Sequence, residues 1–229
     1  MTDIPLIEIR GLNKSFNEGD IQRYVFDELN LTIARGELVA LLGSSGAGKS
    51  TLLNLISGID LPDSGQISIG HCNITELSEA ERTRFRRRNI GFVFQFFNLI
   101  PTLTVAENLF LPLELNGIQN PINRRQALDL LTKVGLDERL HSFPERLSGG
   151  EQQRLAVIRA LVHRPLLVLA DEPTGNLDIA AGIKVLTLLV DLCRQNDATV
   201  VMVTHNEDIA DRSDRVLRLQ DGNIMEICR

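Results

Sequence analysis

The run GSSGAGKST at 43–51 restricts the fold more than any other stretch of this 229-residue chain. It lies between an apolar strand pattern, LVALLG at 38–43, and a helical pattern, KSTLLNLISG, that stops at Gly58. A glycine-rich turn from strand to helix aims consecutive backbone N–H groups, and the helix's positive end, at one point. Such a point is a cradle for phosphate. Gly43, Gly46 and Gly48 let the backbone approach phosphate oxygens and take positive φ where needed. Ser44, Ser45 and Ala47 complete the loop. Lys49 is expected at the β and γ phosphates, the Ser50 hydroxyl on Mg2+, and Thr51 at the α phosphate. Alone, the loop implies only a nucleoside triphosphate.

Two later motifs narrow this. The apolar run LLVLA ends in Asp171 and Glu172. A strand end places Asp171 at the C-terminal edge of the sheet, beside the phosphate loop, where it is expected to hold Mg2+ directly or through water. Glu172, one residue on, is the candidate for polarising an attacking water. Between loop and strand lies LSGGEQQR at 147–154. Ser148 there reads as a helix cap, with Gly149 and Gly150 leaving room for an anion. A second anion site on a separate segment makes sense if the phosphates are gripped by two surfaces, one of them belonging to another copy of the chain.

The rest of the pattern fits an α/β chain. IPLIEIRGL and the stretch around 24–34 read as strands, QISIG as a short strand and GFVFQ at 91–95 as another. Ser78 with Glu81, and Thr104 with Glu107, form capping boxes ahead of two helices. A helical pattern through QALDLLTKVG ends at Gly135. Later come the helix AAGIKVLTLLVDLCRQ, the strand TVVMVT, an acidic helical turn after His205 and a hairpin around Asp221–Gly222. The expected architecture is a P-loop α/β core, RecA-like, with an antiparallel β subdomain and an inserted helical subdomain at about 96–160.

Composition excludes several classes. The net charge of −6 argues against nucleic-acid binding, which needs clustered Lys and Arg. Arg82, Arg84, Arg86, Arg87 and Arg88 form one local cluster, either a solvated helix face or a basic rim facing a membrane leaflet. The apolar runs are strand-length, too short for a membrane span, and MTDIPLIEIR lacks the features of a signal peptide. Cys72, Cys193 and Cys228 are isolated, which points to neither disulfides nor zinc and suits a reducing cytoplasm.

GSSGAGKST, LSGGE and LLVLADE in this order resemble the ATP-binding cassette of ABC-type ATPases over nearly the whole chain. The resemblance implies ATP and Mg2+ as ligands and a homodimer closed around two ATP molecules. Ser148, Gly149 and Gly150 would then meet the γ phosphate held by the opposite subunit. It places Gln95 at the position that contacts Mg2+ and the attacking water, and His205 at the one that donates to the γ phosphate. Asp178 falls in the loop that passes between subunits, with a helix N-cap as its competing reading. Phe16 matches the aromatic that stacks on adenine, where Tyr is more usual, and Tyr24 is its rival. Glu151 stands where the best-known version of the signature has Gln. The run GFVFQFFNLIPTLTVAENL, with TGNLD, looks most like the lipoprotein-release, macrolide-export and cell-division branch. Phe92 and Phe94 alternate and can face a core. Phe96, Phe97, Leu99 and Ile100 would offer a groove to a cytoplasmic helix of a membrane permease, or pack beneath the helical subdomain. The expected place of work is the cytoplasmic face of the inner membrane. The alternative readings are a soluble ABC-type ATPase, a force-transmitting complex without transport, and a small-molecule kinase. The last gives no reason for LSGGE.

Overall fold

The computed structural model describes residues 5–19, 21–205 and 212–227. In chain order the described elements begin with β1 (Ile7–Glu18), β2 (Ile21–Ile33), β3 (Leu38–Leu42), α1 (Lys49–Ser57), β4 (Ser64–Ile69), β5 (Cys72–Asn73) and α2 (Glu79–Asn89). They continue with β6 (Ile90–Phe94), α3 (Val105–Leu115), α4 (Pro121–Lys133), α5 (Gly149–Leu161), β7 (Leu167–Asp171), α6 (Ile179–Gln195), β8 (Thr199–Val203), β9 (Arg215–Gln220) and β10 (Asn223–Glu226). The helical turn expected after His205 and the residue Cys228 lie outside the described residues, as does the start of the first expected strand at Ile4.

The chain divides into two compact units, Met1–Arg86 with Thr199–Arg229, and Arg87–Ala198. In the first, β1 pairs antiparallel with both β2 and β4, and β5 extends β4. This is the expected antiparallel subdomain. Its alternating side chains Ile7, Ile9, Phe26, Ile33, Ile67 and Ile69 are fully buried. In the same unit β3 is flanked by β8 and β9, both parallel, and β10 closes antiparallel on β9. Four of the five residues of β3 and all five of β8 are buried, as expected of parallel strands covered on both faces. Helix α1 buries Leu52, Leu53, Leu55 and Ile56, each worth about 1.5–3 kcal/mol. It ends as its sequence dictates, on Gly58 at φ 67°. The hairpin turn is the expected one: Gln220 pairs with Asn223, and both intervening residues, Asp221 (φ 49°) and Gly222 (φ 75°), are left-handed.

The second unit pairs β6 with β7 in parallel and surrounds them with α3, α4, α5 and α6. The predicted capping box of α3 is present, Thr104 and Glu107 capping each other reciprocally, and Val105, Leu109 and Leu113 are buried. Phe92 and Phe94 differ from expectation. They are half-buried and stack on each other, rings parallel with centroids 5.5 Å apart. The deeper face of β6 belongs to Gly91 and Val93, because a Cβ at 91 would lie 2.2 Å from the Ala160 carbonyl oxygen.

Helix α2, which carries the arginine cluster, has no buried residue. Arg82 and Arg86 both pair with Glu79, holding its carboxyl down at about 2, and Arg86 also donates to the Gly58 carbonyl. Two of the five arginines are therefore tied to their own neighbourhood, which counts against a basic rim built from all five.

Candidate functional site

The predicted site residues are distributed over both units. The first holds the phosphate loop, Phe16, Tyr24 and His205; the second holds Gln95, the signature, Asp171, Glu172 and Asp178.

The phosphate loop leaves β3 at Gly43 and enters α1 at Lys49. Gly48 sits at φ 101°, a conformation L-residues avoid, and a Cβ there would lie 2.6 Å from Val25 Cγ1. Gly43 is needed for proximity instead: its Cβ would lie 2.6 Å from the Leu219 carbonyl oxygen. No side chain caps α1, and no acidic residue occupies its first turn, so the positive helix end is left for an anion. The buried Lys49 ammonium donates to the carbonyls of Gly43 and Ser44 at 2.7 and 2.8 Å, which sets its charge inside the curl of the loop. Ser50 is exposed and Thr51 half-buried in the first turn of α1. Ser44, Ser45, Gly46 and Ala47 line a cavity of about 310 Å³ together with Arg23, Tyr24, Val25, Asp221 and Gly222.

The two candidates for adenine stacking stand on neighbouring rungs of one ladder, Phe16 opposite Arg23 and Ser15 opposite Tyr24. Side chains alternate along a strand, so the two rings lie on opposite faces. Arg23, on the Phe16 face, reaches the Gly46 carbonyl at 3.3 Å, and Tyr24, on the other face, lines the cavity beside Ser44–Ala47, so each face has one residue at the phosphate loop. Phe16 also carries the Lys14 ammonium 4.9 Å from its ring centre. His205 is exposed, two residues beyond β8.

In the second unit the residues are set by side-chain hydrogen bonds. Gln95 follows the last residue of β6, whose register partner is Asp171 at the end of β7. Asn176 donates to the Gln95 carbonyl at 3.0 Å, and Gln95 Nε2 donates back to Asn176 Oδ1 at 3.3 Å. The first bond fixes the Asn176 amide, the second fixes Gln95, and Gln95 Oε1 is left to face other partners. Gly175 makes this possible, because a Cβ there would lie 2.7 Å from Gln95 Nε2. Glu172 has φ 46°, a left-handed conformation that costs a non-glycine residue on the order of 1–3 kcal/mol. Its carbonyl accepts from Gly175 N at 3.0 Å. The fully buried Gln153 donates to the carbonyls of Pro173 and Phe94.

Ser148 caps α5 in a complete capping box: its hydroxyl and backbone N–H both donate to the Glu151 carboxylate, at 2.7 and 2.8 Å. These bonds hold the Glu151 carboxyl below the usual range, with Arg139 and Arg154 adding to the effect. Neither Gly149 nor Gly150 is left-handed, and an added Cβ would meet its neighbours only at 3.5 Å or beyond. These glycines leave the first turn uncovered rather than bend it. Asp178 is the N-cap of α6, accepting from Ala181 N at 2.8 Å.

Residues that sequence reasoning missed are polar side chains that hold loop backbone: the fully buried Asn108 and Gln153 and the half-buried Arg159. Asn108 binds the Ile100 N–H and the carbonyls of Ile100, Leu103 and Thr104. Arg159 donates to the carbonyls of Phe97 and Asn98, both left-handed. The available signal was a polar residue inside an apolar helical stripe: Asn108 beside Val105 and Leu109, Gln153 beside Ala156, Val157 and Ala160.

The ABC transporter family matches residues 26–175. An uncharacterised ABC transporter ATP-binding protein of Mycobacterium tuberculosis is 53% identical over 96% of this chain and 89% of its own length. The lipoprotein-releasing system ATP-binding protein LolD of Xanthomonas campestris is 46% identical over 97% of this chain and 93% of its own. Among solved structures, the ATP-binding cassette MJ0796, a dimer in a post-hydrolysis state bound to ADP and Pi, superposes with a TM-score of 0.87 at 40% identity. That superposition covers 96% of this chain and 97% of the other. The α/β fold with its antiparallel subdomain is thus that of the ABC cassettes, and the chain belongs to the ABC transporter family as an ATP-binding ATPase subunit.

Proposed function

We propose that the protein is the motor of an export or envelope-directed ABC system, closing as a homodimer around two ATP molecules and driving a separate membrane permease. The observation that carries the coupling is the loop from Gln95 to Thr104. It is apolar, yet its backbone is held by side chains: Asn176 at Gln95, Arg159 at Phe97 and Asn98, Asn108 at Ile100 and Leu103. Phe96 projects from it 73% exposed, and Ile100 is 37% exposed. A rigid loop presenting apolar side chains to solvent is suited to receive a helix of a partner. Phe97 and Leu99 are half-buried, and Phe97 packs beside Gly149, so Phe96 and Ile100 are the better docking residues. The dimeric MJ0796 cassette and the lipoprotein-releasing LolD relatives support the same reading.

Within it, the phosphate loop cradles the triphosphate, Lys49 neutralises the β and γ oxygens, and Phe16 stacks on adenine. Glu172 accepts a proton from the attacking water, Gln95 orients that water, and His205 donates to the γ phosphate. Ser50, Asp171 and Gln95 would hold Mg2+, and all three offer the hard oxygen donors this ion takes. Mg2+ there supplies charge neutralisation on the phosphates. Ser148, Gly149 and Gly150 close on the partner subunit's nucleotide, with Asp178 at the seam. No helix among the described residues is long and apolar enough to cross a membrane.

Replacing Phe96 and Ile100 with Ser tests the coupling. Membrane co-purification should fall while melting temperature and hydrolysis by the isolated chain hold. A drop in melting temperature with co-purification intact would overturn the docking role.

A further inference from the structure

Gln153 lies one turn into α5 and is fully buried. Its Nε2 donates to the Pro173 carbonyl at 2.6 Å and the Phe94 carbonyl at 3.2 Å. Two carbonyl partners fix the orientation of the amide, since only the nitrogen can donate. Pro173 directly follows Glu172, and Phe94 directly precedes Gln95. One nitrogen atom therefore joins three segments: the helix that begins at Ser148, the strand end before Gln95 and the loop after Glu172.

The placement has a cost. Gln153 Oε1 is buried without a hydrogen-bond partner, an arrangement that is unfavourable by comparison with an apolar side chain of the same shape. Packing alone would thus be served better by Met or Leu. Removing the amide would also take away the side-chain donor of the Pro173 carbonyl in the loop after β7 and one of the two donors of the Phe94 carbonyl at the end of β6, and the left-handed Glu172 would lose a restraint on the residue next to it. The 2.6 Å bond tolerates little relative movement. A displacement of the start of α5 must carry the backbone beside Glu172 and Gln95 along, or break the bond.

We propose that Gln153 is a positioning residue that transmits the placement of the signature helix to Gln95 and Glu172 of the same chain. An anion seated at Ser148–Gly150 then sets the catalytic geometry beside that chain's own water. This rests on the reading of those residues as a phosphate site, and makes each signature helix a sensor as well as a clamp.

The test compares Gln153→Met and Gln153→Glu in the full-length chain with wild type and Glu172→Gln. Gln153→Met, similar in length and without a donor, should lower kcat per folded chain by about ten- to a hundred-fold, the scale of a misplacement near 1 Å. ATP affinity should be unchanged, because the phosphate loop belongs to the other unit. Gln153→Met combined with Glu172→Gln should still dimerise with Mg-ATP. Gln153→Glu, whose protonated form regains one donor, should recover kcat as pH falls, whereas Gln153→Met should not. A kcat per folded chain equal to wild type in Gln153→Met, with only the melting temperature lowered, would overturn the proposal. Failure of Glu172→Gln itself to dimerise would instead refute the phosphate reading of the signature.

Discussion

The two units hold their functional residues by different means. In the first, the backbone does the placing. Gly48 at φ 101°, the close approach at Gly43 and the uncapped start of α1 make a cradle from main-chain groups. In the second, side chains place the backbone: Asn176, Gln153, Arg159 and Asn108 each hold loop carbonyls that no helix or strand satisfies. A backbone-built site tolerates few substitutions and works without its neighbours. A side-chain-built site can shift when those side chains do. That division suits an ATPase that must bind nucleotide in one state and hydrolyse it in another.

The largest effects should come from breaking the backbone cradle. Gly48→Ala puts a Cβ 2.6 Å from Val25 Cγ1 at a φ that alanine resists, and Lys49→Ala removes the ammonium from the loop. Both should bring hydrolysis to background and weaken ATP binding, read by nucleotide titration and a phosphate-release assay. Near-normal turnover in Lys49→Ala would contradict the assignment of the loop.

A smaller and more selective loss should follow Gly175→Ala. The added Cβ would fall 2.7 Å from Gln95 Nε2 and break its bond to Asn176. Hydrolysis should fall by about ten-fold or more, as expected when a positioned group is displaced. ATP affinity should hold. If affinity fell as far as in Lys49→Ala, the contrast between the units would fail.

The contrast also explains what could be read in advance. The phosphate loop, the capping box at Thr104, the cap at Ser148, the stop at Gly58 and the Asp221–Gly222 turn are local: each is written in residues a few positions apart. Gln153 is different, since its partners lie 59 and 20 residues away and no short pattern encodes them. The same holds for Phe92 and Phe94. Their alternation suggested a core face, but the depth of β6 was decided by Ala160, from a helix far along the chain. Asp178 was legible both as a cap and by its position in the family pattern, and the structure bears on the cap alone.

The smallest predicted effect is the acid response of the capping boxes. Bonds from Ser78, Thr104 and Ser148 hold the carboxyls of Glu81, Glu107 and Glu151 below the ordinary 4.5. A carboxyl depressed in the folded state stabilises fully above its unfolded value, and that contribution is lost as pH falls from 4.5 through the folded value. Melting temperature should therefore drop as the pH falls below about 5. The triple replacement Glu81→Gln, Glu107→Gln, Glu151→Gln keeps the boxes without a titrating group, so its drop should be shallower. Identical acid profiles would remove the capping carboxylates from the account.

In the proposed cycle one unit binds ATP and the other commits it to hydrolysis across a dimer. Sedimentation of Glu172→Gln with and without Mg-ATP tests this most directly. The variant keeps the phosphate loop and loses the carboxylate proposed to accept the proton, which should slow turnover by about 10²–10⁴-fold. The account predicts a stable dimer holding two ATP, formed only with nucleotide and abolished by adding Ser148→Arg. A Glu172→Gln chain that binds ATP and sediments as a monomer at every concentration would contradict it.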